Sequence, residues 1–209
     1  MTRDDFWTDE ERRTLGSLSN PGAIQAFLDS LEYSADPFYR SPRSVMRDRT
    51  AHCVDGAVLA AAALERLGLP PLLFDLRAIN DDDHVIAVFE RRGLLGAVAK
   101  SNFVGLRYRE PIYRSPRELA LSYFDFYYNS DGERTLRSHS ALLDISRFDR
   151  PGWRIDDGAV EPIVDALDRS RHYPLLPAEA ALDLLKMDER SYRAGMLGVK
   201  EAGLYRKKD

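Results

Sequence analysis

At residues 53–67 the chain reads CVDGAVLAAAALERL, followed by Gly68 and then by Pro70 and Pro71. Alanine and leucine favour helix, and a glycine with prolines just beyond ends one, so the stretch predicts a helix with a sharp stop. Small or apolar residues occupy almost every side of it except near Asp55, Glu65 and Arg66. A helix apolar on nearly all sides is packed on both flanks, which places this one inside the core. Gly56 lowers helix stability, and its presence predicts close approach of another backbone near the helix start.

Downstream, residues 72–79 (LLFDLRAI) read as a strand closed by the acidic turn Asn80-Asp81-Asp82-Asp83. Residues 84–90 form a second expected strand, Arg91-Arg92-Gly93 a hairpin-like turn, and residues 94–102 a third strand completing a meander. Strand structure is expected to continue through residues 104–108, before Pro111. Ser115-Pro116 then opens an amphipathic helix over residues 117–128, with Leu119, Tyr123, Phe124 and Tyr127 at helical spacing. After Asp131-Gly132 the chain reads as loop up to a candidate boundary at Arg150-Pro151-Gly152. Residues 160–167, 178–186 and 189–197 beyond it read as helices. Upstream, Thr8-Asp9-Glu10-Glu11 is a helix start, and Asn20-Pro21 is another, with Ile24, Phe27, Leu28 and Leu31 on one face. Pro37 and Pro42 predict an irregular segment before the basic residues 43–49. The expected class is α+β: a cysteine-bearing buried helix packed on an antiparallel sheet, with extra helices at both ends. Residues 1–150 form the domain, and 151–209 a helical extension too short to bury much surface alone.

The 209 residues carry 30 Lys and Arg against 34 Asp and Glu, a formal charge of −4, with 44% apolar residues. That is an ordinary globular composition, and its acidic balance argues against a protein whose main task is to neutralise nucleic-acid phosphates. The first fifteen residues are too charged for a signal peptide, and no apolar run approaches the roughly 20 residues that span a bilayer. The expectation is a cytoplasmic protein. The single cysteine excludes an internal disulfide, a multi-cysteine metal site and a dithiol redox pair. Cys53 is therefore either a small buried apolar group or a functional thiol.

A helix start favours thiolate, because unpaired amides and the helix dipole stabilise negative charge there, and Cys53 sits at one. A thiol nucleophile also needs a base within reach and a group that orients the base. His84, 31 residues after the cysteine (84 − 53) at the head of the second strand, is the candidate base. The third strand ends in Lys100-Ser101-Asn102, which offers a hydroxyl or an amide as orienter. Strand alternation lets only one of Ser101 and Asn102 face the histidine.

The order of these parts, over about residues 45 to 105, resembles the transglutaminase-like fold and is similar to bacterial transglutaminase-like proteins of the papain-like cysteine hydrolase superfamily. The resemblance implies Cys53 as nucleophile, His84 as general base and Asn102 as the nearest match to the third triad member. It implies a thiol-dependent amide hydrolase or acyl transferase acting on a peptide, protein or small amide, with neither organic cofactor nor metal. The chain has Ala51-His52-Cys53-Val54 where many members have Gly-x-Cys, and Ser101-Asn102-Phe103 where they have Asp-Pro. These departures motivate a second reading, a catalytically inactive binding or scaffold module.

Other groups have simpler readings. His52 points about 100 degrees from Cys53 on a helix and is a poor base. The three consecutive aspartates lack the spacing of a calcium loop, but would favour a charged His84. The run Arg107-Tyr108-Arg109 through Arg117 could stack bases or clamp a carboxylate, yet also suits a charged sheet edge, and no nucleic-acid motif accompanies it.

Overall fold

The computed structural model describes residues 6–148 and 152–206. Its helices are α1 (Asp9–Ser17), α2 (Pro21–Asp29), α3 (Pro42–Asp48), α4 (Cys53–Arg66), α5 (Pro116–Phe124), α6 (Glu161–Asp168) and α7 (Glu189–Gly195). The strands are β1 (Glu32–Tyr33), β2 (Thr50–Ala51), β3 (Leu72–Ala78), β4 (His84–Arg91), β5 (Leu94–Val98), β6 (Arg109–Tyr113), β7 (Leu136–Ser140), β8 (Leu143–Asp144) and β9 (His172–Pro174). The class is α+β. β1 and β2 pair in parallel, and the other seven strands form an antiparallel sheet ordered β6-β5-β4-β3-β7-β9, with β8 also paired to β3.

The helix α4 forms where its composition places it. His52 caps it by accepting from the Asp55 N–H, while Asp55 accepts from the His52 N–H at 3.1 Å. Gly68 ends it at φ 80°, a left-handed conformation that glycine adopts without penalty, and Leu69 N–H closes onto the Leu64 carbonyl. Residues 57–64 are each at most 2% exposed, so this helix is the centre of the core. Alternation on β3 and β4 divides that core in two. Leu73, Val85, Ala87 and Phe89 pack with α4, α1, α2 and α6. Phe74, Leu76, Ile86 and Val88 face the other way, onto Leu119, Ala120 and Tyr123 of α5.

The approach expected at Gly56 is made by Lys100. A Cβ at Gly56 would lie 2.3 Å from the Lys100 Cβ and 3.4 Å from its Cα. Lys100 is fixed there because its Nζ donates to the Leu28 and Leu31 carbonyls at 3.0 and 2.6 Å, closing the end of α2.

Several expectations are corrected. The third strand ends at Val98, short of residue 102, because the Gln25 side chain takes both backbone groups of Ala99 at 3.0 and 2.9 Å. Residues 104–108 do not continue as a strand: a 3-10 turn, Val104–Leu106, intervenes, and the edge strand β6 follows, where Pro111 is tolerated. The helix expected to reach residue 128 stops at Phe124, leaving Tyr127 and Tyr128 beyond it. The segment expected to be irregular ends at Ser41, whose hydroxyl caps α3, so Pro42 opens that helix rather than breaking the chain. The stretch after Gly132 is not loop: β7 lies inside the sheet between β3 and β9. Residues 178–186 hold only a 3-10 turn, Glu179–Asp183. The segment after residue 151 supplies β9 as well as α6 and α7, while Arg150 and Pro151 lie outside the described residues. Among the described residues no helix is long and apolar enough to cross a membrane.

Candidate functional site

The amino end of α4, the head of β4 and the turn before it, and the stretch after β5 meet at one cleft of about 460 Å³. Cys53, His84, Ser101 and Asn102 all line it, although they come from three separate segments. The acidic turn lines it too, held in place by specific bonds. Asn80 takes a left-handed φ of 55°, Asp81 accepts from the Thr135 hydroxyl at 2.7 Å, and Asp83 accepts from the Ala78 N–H at 2.8 Å.

Cys53 is half-buried at the first position of α4. Its thiol donates to the Asp83 carbonyl at 3.9 Å. Burial pushes it up to about 12, the charges of Asp55 and Asp82 add to that, and the Val85 and Val54 amides only partly offset it. The lowering expected from the helix start is thus outweighed by desolvation. The resting site holds a neutral thiol.

His84 is 5% exposed, and its Nε2 lies 2.8 Å from the Leu106 carbonyl. A carbonyl oxygen only accepts, so Nε2 carries the hydrogen. Burial pushes the imidazole down to about 4, with the Arg109 charge adding, so at neutral pH the other nitrogen, Nδ1, is an unprotonated acceptor. The charged imidazole expected beside the aspartates is not formed, because burial dominates. The ring lies near Tyr123 and Tyr127, on the face of β4 that α5 covers. Cys53 approaches from the α4 side, near the Val85 amide. The sulfur's hydrogen-bond partner is the backbone preceding His84 rather than its ring.

Asn102 does not orient His84. Its amide donates to the Lys200 carbonyl at 2.9 Å, and its oxygen accepts from the Lys200 N–H at 2.9 Å. Ser101 accepts from the Phe103 N–H at 3.0 Å, shaping the turn. The group that orients the imidazole is the Leu106 carbonyl, at a position where side-chain chemistry carries no signal. His52 is the cap of α4, pushed down to about 4 by burial, and its ring stands edge-on to Tyr39.

A second polar group in the cleft wall, Asp75 of β3, has no counterpart in the sequence reading. Its Oδ2 meets His172 Nε2 at 2.9 Å, and His172 Nδ1–H donates to the Ser170 carbonyl at 2.8 Å. With Nδ1–H committed, the bond between Nε2 and Oδ2 needs a further proton, carried by either partner. Burial pushes the Asp75 carboxyl up to about 6, and its Oδ1 is buried without a hydrogen-bond partner.

The Arg/Tyr run is built into the fold. Arg109 stacks on the Tyr123 ring at 3.9 Å and donates to the Gly105 carbonyl, Arg107 pairs with Asp29 at 3.0 Å, and Arg117 donates to the Pro174 and Leu175 carbonyls. Among the described residues no group of three or more His, Cys, Asp or Glu side chains is placed to hold a metal ion. Compared with known proteins, the chain matches no family model, and it matches no curated protein.

Proposed function

We propose that the protein is a thiol-dependent amide hydrolase or acyl transferase with a transglutaminase-like core, using Cys53 as nucleophile and His84 as base. The observation that carries this reading is that Cys53 and His84 line one cleft, with the His84 Nε2–H held by the Leu106 carbonyl so that Nδ1 is the nitrogen left to accept a proton. In the reaction the sulfur leaves the Asp83 carbonyl, gives its proton to Nδ1 and bonds to the substrate carbonyl carbon. The carbon–nitrogen bond then breaks, and the imidazolium returns the proton to the leaving amine. Water or an acceptor amine releases the acyl group from sulfur, with His84 again taking the proton. The Cys53 N–H, which has no intrahelical acceptor at the first position of α4, supports the developing oxyanion.

The test needs no knowledge of the substrate. With p-nitrophenyl acetate as acyl donor, stoichiometric acetylation of Cys53, followed by mass spectrometry, is expected to exceed that of free cysteine at pH 7. It is expected to slow about 100-fold or more in His84→Ala, the scale of a lost general base. The second reading, a binding module with no chemistry, is favoured by the elevated thiol and by the commitment of Asn102 to Lys200. Acetylation no faster than free cysteine and indifferent to His84→Ala would leave only that reading.

A further inference from the structure

The cleft is lined not only by α4, β4 and the acidic turn but also by residues 202–205 of the same chain. Residues 200–203 are held in the manner of a ligand. Asn102, 9% exposed, reads the main chain of Lys200 through both its amide atoms, a contact independent of side-chain identity. The Lys200 ammonium pairs with Glu32 at the rim. The chain then turns through one 3-10 turn, Glu201–Gly203, closed by Gly203 N–H on the Lys200 carbonyl at 3.0 Å. Gly203 does not have a left-handed φ, so its backbone conformation does not demand glycine. Its surroundings do. A Cβ there would lie 2.6 Å from Cε1 and 2.8 Å from Cδ1 of Tyr33, and 3.0 Å from the Asn102 amide nitrogen.

Two further observations bear on this occupant. The cleft wall carries Asp36, Asp75, Asp81, Asp82, Asp83 and Asp168, whereas residues 200–206 read KEAGLYR, with two cations against one carboxylate. The described segment is thus opposite in net charge to the wall, by one charge and through Arg206 rather than residues 200–203. The approach to it is also weakly anchored: the 3-10 turn Glu179–Asp183, α7 and the turn Glu201–Gly203 contain no buried residue, and Leu182, Leu185 and Leu197 are 86%, 82% and 76% exposed. A segment with so little burial opens at far lower cost than the core does.

We propose that the cleft is a peptide-binding site that recognises a glycine-bearing turn through its main chain, and that residues 200–203 hold that position in cis, where they exclude a peptide of the same kind from outside. The proposal rests on reading this cleft as the functional site, but it requires no reactivity from Cys53. Asn102 supplies the main-chain contact and Tyr33 the glycine selection. The exposed Glu32 pair adds little affinity.

The test is binding of a fluorescent peptide VKEAGLYR, the sequence of residues 199–206, to the full chain by anisotropy. Gly203→Val expels the cis segment, and Lys200→Pro removes the N–H that Asn102 accepts; both changes lie in a turn without buried residues. Either variant is expected to bind the peptide at least tenfold more tightly than the wild type does. The peptide VKEAVLYR is expected to bind at least tenfold more weakly than VKEAGLYR to the same variants. Peptide binding by the Gly203→Val variant alongside failed acetylation of Cys53 would retain this proposal and remove only the catalytic one. Equal affinity of wild type and both variants, or equal affinity for the two peptides, would overturn it.

Discussion

The two halves of α4 obey different physics. From Ala57 to Leu64 the helix buries only methyl and methylene groups, and Leu59 and Leu64 alone each contribute roughly 1.5 to 3 kcal/mol through burial. Its first turn is polar and less uniformly buried, Cys53 being half-buried. Asp55 is 0% exposed, accepting from the Arg40 N–H at 2.7 Å and the His52 N–H at 3.1 Å, and burial pushes its carboxyl up to about 7. Cys53 and His52 are displaced from their ordinary ranges in the same neighbourhood. Buried polar groups cost stability unless bonded, so one half of the helix is a source of folding free energy and the other concentrates groups that a ligand or reaction can use.

Removing the carboxylate from the polar half tests that contrast most severely. Asp55→Ala leaves the Arg40 and His52 amides without their acceptor and takes one counter-charge from the Arg40 guanidinium, which Asp36 and Asp48 still engage. A loss of about 3 to 5 kcal/mol in urea unfolding is expected. A loss below about 1 kcal/mol would mean the first turn is no more dependent on its polar bonds than the body is.

Acid titration sharpens the same comparison. His84 sits near 4 in the fold, against about 6.5 in an unfolded chain, so the fold prefers the neutral ring. Its contribution is fully present above about pH 6.5 and is lost as pH falls toward 4, amounting to at most about 3 kcal/mol. Asp55, Asp75 and Asp81, raised to about 7, 6 and 6 by burial, act with the opposite sign: their cost grows as pH rises through that range. The measurement is therefore a difference. Between pH 7.5 and 4.5 the wild type is expected to lose about 2 to 3 kcal/mol more than His84→Gln, and equal losses would show that the imidazole titrates freely.

What the sequence revealed follows the same division. The apolar body of α4 and the β3–β4 pair are legible because their stabilising contacts are encoded by residue type and period. β7 reads LRSHS and shows no apolar alternation, yet it is an inner strand. Ser140 takes the Asp75 N–H at 2.9 Å, and His139 lies between Phe74 and Tyr173, with ring centroids 5.1 and 5.4 Å away. At the cleft, type and order single out Cys53 and His84, which both line it, but the group bonded to the imidazole is a backbone carbonyl, which any residue could supply. The pairings Asp75–His172 and Asn102–Lys200 join residues 97 and 98 positions apart, and nothing local marks either partner.

The smallest expected effect turns on the sign of a glycine substitution. In a helix interior alanine is ordinarily favoured over glycine by about 1 kcal/mol, so Ala60→Gly, in the packed body, is expected to cost at least that much. Gly56→Ala should gain by the same rule. The methyl it adds would meet the Lys100 Cβ, which is flanked by the Ala99 backbone held on Gln25 and tethered through Nζ to the Leu28 and Leu31 carbonyls. Relief requires moving that stretch off α2, so the substitution is expected to destabilise by about 1 to 3 kcal/mol despite its better propensity. Thermal unfolding of the two variants side by side decides the matter. A more stable Gly56→Ala would show that Lys100 yields, and that the first turn is not held by the segment that carries Ser101 and Asn102 into the cleft.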